Sequence, residues 1–190
     1  MAKPAKHEPD IIAPDGDLIL VVGKGKATRK LLVSSKFLSE ASKPFSAMLS
    51  GRFAEGHRLS TVTPEELQLP DDCAMAMEIA CRLCHSQTEK IPLQLSPATI
   101  LALAVIENKY DTSARTRFYI WSLLRETPAS SLKTLQNLGQ LIAAAYIARD
   151  GPRFKAFTKK AAFKIGAHRT DLYHIVAEGL LPAKILSKSL

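Results

Sequence analysis

The chain reads as an α+β domain followed by a helical extension, and three observations predict that class. Two short aliphatic runs, Asp17-LILVV-Gly23 and Arg29-KLL-Val33, flank the turn Lys24-Gly25-Lys26, which is the pattern of a β-hairpin. From Ser34 onward the apolar residues recur every three or four positions, the period of helices. Only one later segment, Glu66-LQ-Leu69, alternates in the manner of a strand.

Composition agrees with a folded domain. The 190 residues are 46% hydrophobic and 23% charged, with 9 Gly and 11 Pro, which is ordinary globular usage and excludes collagenous, coiled-coil and disordered chains. That length corresponds to one domain or one with a modest extension, and it buries roughly 70% of the unfolded surface without needing disulfides or a metal. The longest wholly apolar runs are eight residues, Leu141 to Ala148, and seven, Ile100 to Ile106, against the ~20 needed to cross a bilayer, so no membrane partner is expected. The start MAKPAKHEPDIIAPDGD holds no apolar stretch of secretory type. The three cysteines, Cys73, Cys81 and Cys84, are an odd number and do not form a disulfide framework. The expected location is intracellular, in cytoplasm or nucleus.

Each element has its own local cause. Residues 1–14 carry three prolines and four charges with only Ile11 and Ile12 to bury, so a flexible N-terminal arm is expected there. The first hairpin strand is apolar on both faces and belongs inside a sheet with helical cover. Phe37, Leu38 and Ala41, then Phe45, Met48 and Leu49, give two short helices, with Pro44 in the first turn of the second. After a polar stretch the brief strand ends at Pro70, and Asp71 or Asp72 stands where a cap is wanted for a helix with Met77, Cys81 and Cys84 on its apolar face. Ser96-Pro97 starts a nearly all-apolar helix that belongs in the core. Asp111 is placed to cap the next, whose apolar face reads as Ala114, Phe118, Trp121 and Leu124, with Arg115, Arg117 and Arg125 outward. Further helices follow over 131–149, 153–165 and 170–178, ending at Gly151, Gly166 and Gly179.

In this order the residues carry a resemblance. The opening Asp17-x-x-Leu20-x-Val22, the helical pair LSEASKPFSAML from Leu38 to Leu49, the Phe53-x-Glu55-Gly56 that follows, and the helix end Ala104-x-x-x-x-Lys109-Tyr110-Asp111 resemble a BTB (POZ) domain over residues 15–126. More narrowly they are similar to the variety common in filamentous fungi, and residues 127–190 are similar to the helical continuation found in those chains. The resemblance implies a small three-stranded sheet capped by helical hairpins. It implies no enzyme activity and no cofactor. It implies a surface that binds a protein partner, either a second copy as a homodimer or, in some members, a cullin-type ubiquitin ligase scaffold or a transcriptional complex. The protein-binding candidates are Asp17, Lys36 and Glu55 within the resembling motifs, and Phe45, Met48, Phe53 and Tyr110, because aromatics and Met are enriched at interface cores, although such residues at helical period are more often core. Two departures stand out. Many dimeric members set the first-strand Asp against a basic residue in V-H-R/K, where this chain has Val33-Ser34-Ser35 with Lys36 one place further on. The arm before Asp15 also lacks the amphipathic helix that many dimers exchange.

Other constellations have a bland reading beside the functional one. Cys81-Arg-Leu-Cys84-His85 has the spacing of covalent haem attachment, but both thiols fall on the apolar face of a helix, where free cysteine is common core material. No second ligand pair at zinc spacing accompanies them, and the other histidines, at 7, 57, 168 and 174, are scattered. Gly23-Lys-Gly-Lys-Ala-Thr28 looks like a phosphate loop, yet it joins two strands instead of opening a helix. Of the net charge of +8, residues 151–190 supply +6, from eight Lys/Arg against Asp171 and Glu178. A nucleic-acid or acidic-ligand binder working through that basic region is the alternative function.

Overall fold

Leu18, Leu20 and Val22 are fully buried, and a strand apolar on both faces is stable only between neighbours. In the computed structural model, which describes residues 8–50 and 60–165, that strand is β2 (Leu18–Val22), at an inner position of a four-stranded sheet. Strand β1 is Asp10–Ile11, β3 is Arg29–Val33 and β4 is Glu65–Leu69, in the spatial order β1-β3-β2-β4. β2 and β3 are antiparallel with Leu20 opposite Leu31, whereas β4 runs parallel to β2 with Leu67 beside Leu20. The parallel return requires a crossover, and helices α1 (Ser35–Ala41) and α2 (Lys43–Leu49) lie in it.

The hairpin turn depends on Gly23, whose φ of +87° suits glycine and where a Cβ would sit 3.1 Å from the Ala27 carbonyl oxygen. Gly16 is required for a different reason: a Cβ there would meet the Val33 carbonyl oxygen at 2.7 Å. Ser42 caps α2 by accepting the Phe45 N–H at 3.1 Å, with Pro44 in the first turn.

The sheet has one strand more than expected, and it comes from the segment read as an arm. Asp10 and Ile11 pair in parallel with Leu31 and Leu32, and the Ile12 and Ala13 amides both donate to the Leu32 carbonyl at 3.0 Å. Strand alternation separates the two isoleucines: Ile12 is buried at 1% exposure while Ile11 is 58% exposed. The burial of Ile12 and these amide bonds anchor residues 10–13 to the sheet.

Helix α3 (Ala74–Cys84) buries Met77, Cys81 and Cys84 as its spacing predicts. Its N-cap is Cys73, without a side-chain cap bond, and the two carboxylates expected to cap it bind elsewhere, Asp71 to Lys24 and Asp72 to Lys109 and Tyr110. Helix α4 (Pro97–Tyr110) begins where Ser96-Pro97 predicts, the Ser96 hydroxyl accepting the Thr99 N–H at 3.1 Å. Asp111, at φ +46°, ends α4 in a left-handed conformation.

Helix α5 (Ser113–Arg125) buries Leu124 as expected but not Phe118. The buried positions are Thr116, Ile120 and Leu124, while Phe118 is 61% exposed and lies edge-on to Trp121. Arg117 is the second correction: its guanidinium binds the Glu107 carboxylate, which is 2% exposed, so it does not point outward. A buried charge must be paired, and that requirement sets the rotation of α5.

Helix α6 (Leu135–Ile147) starts later than expected, capped by Thr134, which accepts the Asn137 N–H. Gly151 is not a helix stop. Arg149 takes the left-handed φ of +59°, and α7 (Gly151–Ile165) begins at once, with the Asp150 carboxylate accepting the Arg153 N–H at 3.1 Å and Pro152 in the first turn. α6 and α7 pack together, burying Leu138, Leu141, Ile142, Phe157 and Ala161 among others. The chain divides into two compact units, Met1–Ile91 with Lys109–Thr116, and Pro92–Asn108 with Arg117–Leu190. The expected helix over 170–178 lies outside the described residues. No helix among the described residues is long and apolar enough to cross a membrane.

Candidate functional site

Asp17 enters β2, and its carboxylate reaches across the sheet end to the start of α1. Oδ1 accepts the Ser35 backbone N–H at 2.8 Å and Oδ2 accepts the Ser35 hydroxyl at 2.6 Å. Bonds to an ionised acceptor are about twice as strong as neutral ones, and this one satisfies an N–H that a helix start leaves unpaired. Lys36 is exposed. The Asp17 carboxylate is therefore held by a serine of its own chain.

The neighbouring amide is held just as specifically. His85, which follows α3, accepts the Ser34 N–H at Nε2 (3.0 Å), and its Nδ1 lies 2.7 Å from the Cys81 carbonyl oxygen. An acceptor at Nε2 and a donor at Nδ1 define the neutral imidazole tautomer. Burial lowers the histidine pKa, opposed by the bond to Cys81. The Phe37 ring packs against His85 with centroids 5.2 Å apart. Two successive amides, of Ser34 and Ser35, are thus clamped by side chains from either side of the β3–α1 junction.

The other candidates separate. Phe45 and Tyr110 stack at 4.6 Å with 9° between their planes, at 0% and 3% exposure. They form core, and neither presents a face to a partner. Tyr110 donates to Asp72 through its hydroxyl, and its carbonyl accepts from the Ser42 hydroxyl. Burial, reinforced by Asp72, pushes the phenol up to about 12. Asp72 also takes the Lys109 ammonium at 2.7 Å. Met48 is half-buried, and Phe53 and Glu55 lie outside the described residues.

The Cys-x-x-Cys-His motif offers no reactive thiol. Cys81 and Cys84 are buried and unpaired. Burial raises Cys81 well above the usual thiol range and Cys84 to about 11. With both His85 nitrogens already bonded, the residues do not fit a haem iron ligand set. Among the described residues no group of three His, Cys, Asp or Glu is arranged to hold a metal.

The hairpin turn borders an open cavity of about 800 Å³ that includes Lys24, Lys26, Arg29 and Lys30. Carboxylates answer three of these cations: Asp71 for Lys24 at 2.6 Å, Glu78 for Arg29 at 2.7 Å, and Glu66 for Lys30. The Lys24 ammonium also lowers the Asp71 pKa. This is a salt-bridged turn, not a phosphate cradle.

Neither Ser34 nor Ser35 carries a sequence signal of its role, and Asp72 reads only as a cap. His85 stands out solely through the cysteine spacing, which points to the wrong chemistry. No protein-family model matches the chain, and no curated protein matches it.

Proposed function

We propose that the chain is a non-enzymatic, BTB-type interaction module that works by burying part of its surface against a protein partner, with self-association the first case. The observation that carries this reading is the element order of the first unit: a hairpin, two short helices, a strand returning parallel to β2, and a helix. It accompanies the motifs from Asp17 to Asp111 that resemble the family. The surface supports it further. Ile11 on edge strand β1 is 58% exposed and Phe37 on α1 is 50% exposed, and an exposed strand edge or apolar side chain gains free energy when a partner covers it. Recruitment to a cullin-type scaffold or a transcriptional complex is the hetero-partner form of the same proposal.

Size-exclusion chromatography with light scattering across a dilution series tests it. Self-association predicts the mass of two chains at high concentration, with a return toward one chain in Ile11→Lys and Phe37→Lys variants. One chain's mass at every concentration refutes self-association. A salt series separates the alternative function. Binding of nucleic acid through the basic region weakens steeply between 50 and 200 mM salt, whereas an apolar interface changes little.

A further inference from the structure

Strand β4 is the edge of the sheet opposite β1, and only β2 pairs with it. The Leu69 carbonyl accepts the Gly23 N–H at 3.0 Å, which fixes the sense of the whole strand. Backbone groups alternate in direction along a strand, so those of Glu65, Leu67 and Leu69 face β2, while the N–H and C=O of Glu66 and Gln68 face away from the sheet. Among the described residues no hydrogen bond takes these outward groups. The side chains of Glu66 and Gln68 are exposed. Within the chain the Glu66 carboxylate is met by the Lys30 ammonium, and it lies 3.5 Å from the Gln68 amide nitrogen.

We propose that this edge pairs with the same edge of a second copy of the chain, antiparallel about a two-fold axis at Leu67, as a contact separate from the Ile11 and Phe37 surface. The register follows from the residues. An axis at Leu67 sets Glu66 opposite Gln68 of the second copy, so that every outward N–H and C=O of both strands is bonded and each Glu66 carboxylate faces a Gln68 amide that can donate to it. Other registers fail. Pro64 and Pro70 bracket the strand, and neither has an N–H to give. An axis at Glu66 would set Gln68 against Pro64 and the two Glu66 carboxylates against each other, and an axis at Gln68 would set Glu66 against Pro70. Each leaves a carbonyl without a donor. Because Lys30 already answers Glu66, bringing two copies of this edge together opposes no uncompensated charge. An unpaired edge that is self-complementary in one register is an isologous contact surface.

Residue-resolved hydrogen exchange of the full-length chain across a dilution series tests this contact. The Glu66 and Gln68 amides are expected to exchange freely in dilute protein and about tenfold slower or more in concentrated protein. Gln68→Pro removes an N–H that β2 does not use, and Gln68→Glu keeps the backbone but sets carboxylate against carboxylate. Each should abolish the slowing at Glu66 while the amides of β2 and β3 stay protected, and Gln68→Glu decides alone if the proline disturbs the strand. Ile11→Lys and Phe37→Lys should leave the slowing intact, so this contact and the surface proposed above fail separately. Exchange of Glu66 and Gln68 that is fast at every concentration overturns the proposal and leaves the edge to a strand other than its own copy. Slowing that survives Gln68→Glu overturns it as well, and slowing that Ile11→Lys abolishes assigns the effect to the other surface and overturns it too.

Discussion

Replacing Asp17 separates a folding role from a partner-binding one. The carboxylate accepts two hydrogen bonds from Ser35, at 2.8 and 2.6 Å, and Ser35 is 7% exposed. In Asp17→Ala the Ser35 amide and hydroxyl lose an ionised acceptor, and water reaches such a buried residue only in part. A bond to a charged group contributes about 1.5–3 kcal/mol, and a stranded buried donor costs about 1–3 kcal/mol. Since Asp17 is itself half-buried, these overlap, and the expected loss is about 2–4 kcal/mol. Asp17→Asn keeps one carbonyl oxygen for the Ser35 N–H and should lose only about 1 kcal/mol. Ser35→Ala should cost about 1 kcal/mol, and the double variant should fall short of the sum by a similar amount, since the two residues share one interaction. Urea unfolding followed by far-ultraviolet circular dichroism reads all four. Coincident curves for wild type and Asp17→Ala would refute the clamp. If that variant kept its stability and lost self-association, Asp17 would be a partner contact instead.

The Glu107–Arg117 pair predicts an asymmetry. Arg117→Ala leaves a buried carboxylate unpaired and should cost about 3–5 kcal/mol, whereas Glu107→Gln with Arg117→Met should recover most of that loss; equal losses in urea melts would contradict it. His85 predicts a pH dependence. Its folded pKa lies below the ordinary 6.5, so the unfolded chain binds the proton more readily. Its stabilisation is therefore complete above pH 6.5 and declines as pH falls from 6.5 toward the folded value. His85→Gln, which keeps an acceptor for the Ser34 N–H, should show a smaller fall in urea midpoint between pH 7.5 and 5 than the wild type, and an identical fall would exclude His85 as the source. Phe45→Ala and Leu103→Ala, both at 0% exposure, should lose about 3–5 and 2–5 kcal/mol respectively in the same melts, and unchanged midpoints would place those side chains outside the core.

Much of the local structure was legible in the residues because its causes are local. The hairpin follows from two aliphatic runs around glycines, the start of α4 from Ser96-Pro97, and the buried face of α3 from the spacing of Met77, Cys81 and Cys84. Where two local signals compete, spacing misleads. Phe118 and Trp121 form a plausible stripe on α5, but pairing Arg117 with buried Glu107 favours the rotation that buries Ile120 and Leu124. Gly151-Pro152 fits a helix stop as well as a helix start, and the Asp150 side chain decides for the start.

The candidate site shows the same division. Residue type and spacing alone established the α+β class, the places where most helices begin, and the burial of the thiols. Tertiary structure decided that Asp17 serves Ser35, that His85 holds the Ser34 amide 51 residues away, and that Gln87 ties down Ile12 across 75 residues. Periodicity and caps act within a turn or two of helix and can be read along the chain. The choice of partner for a buried polar group depends on which elements packing brings together, and no single stretch of sequence contains that information.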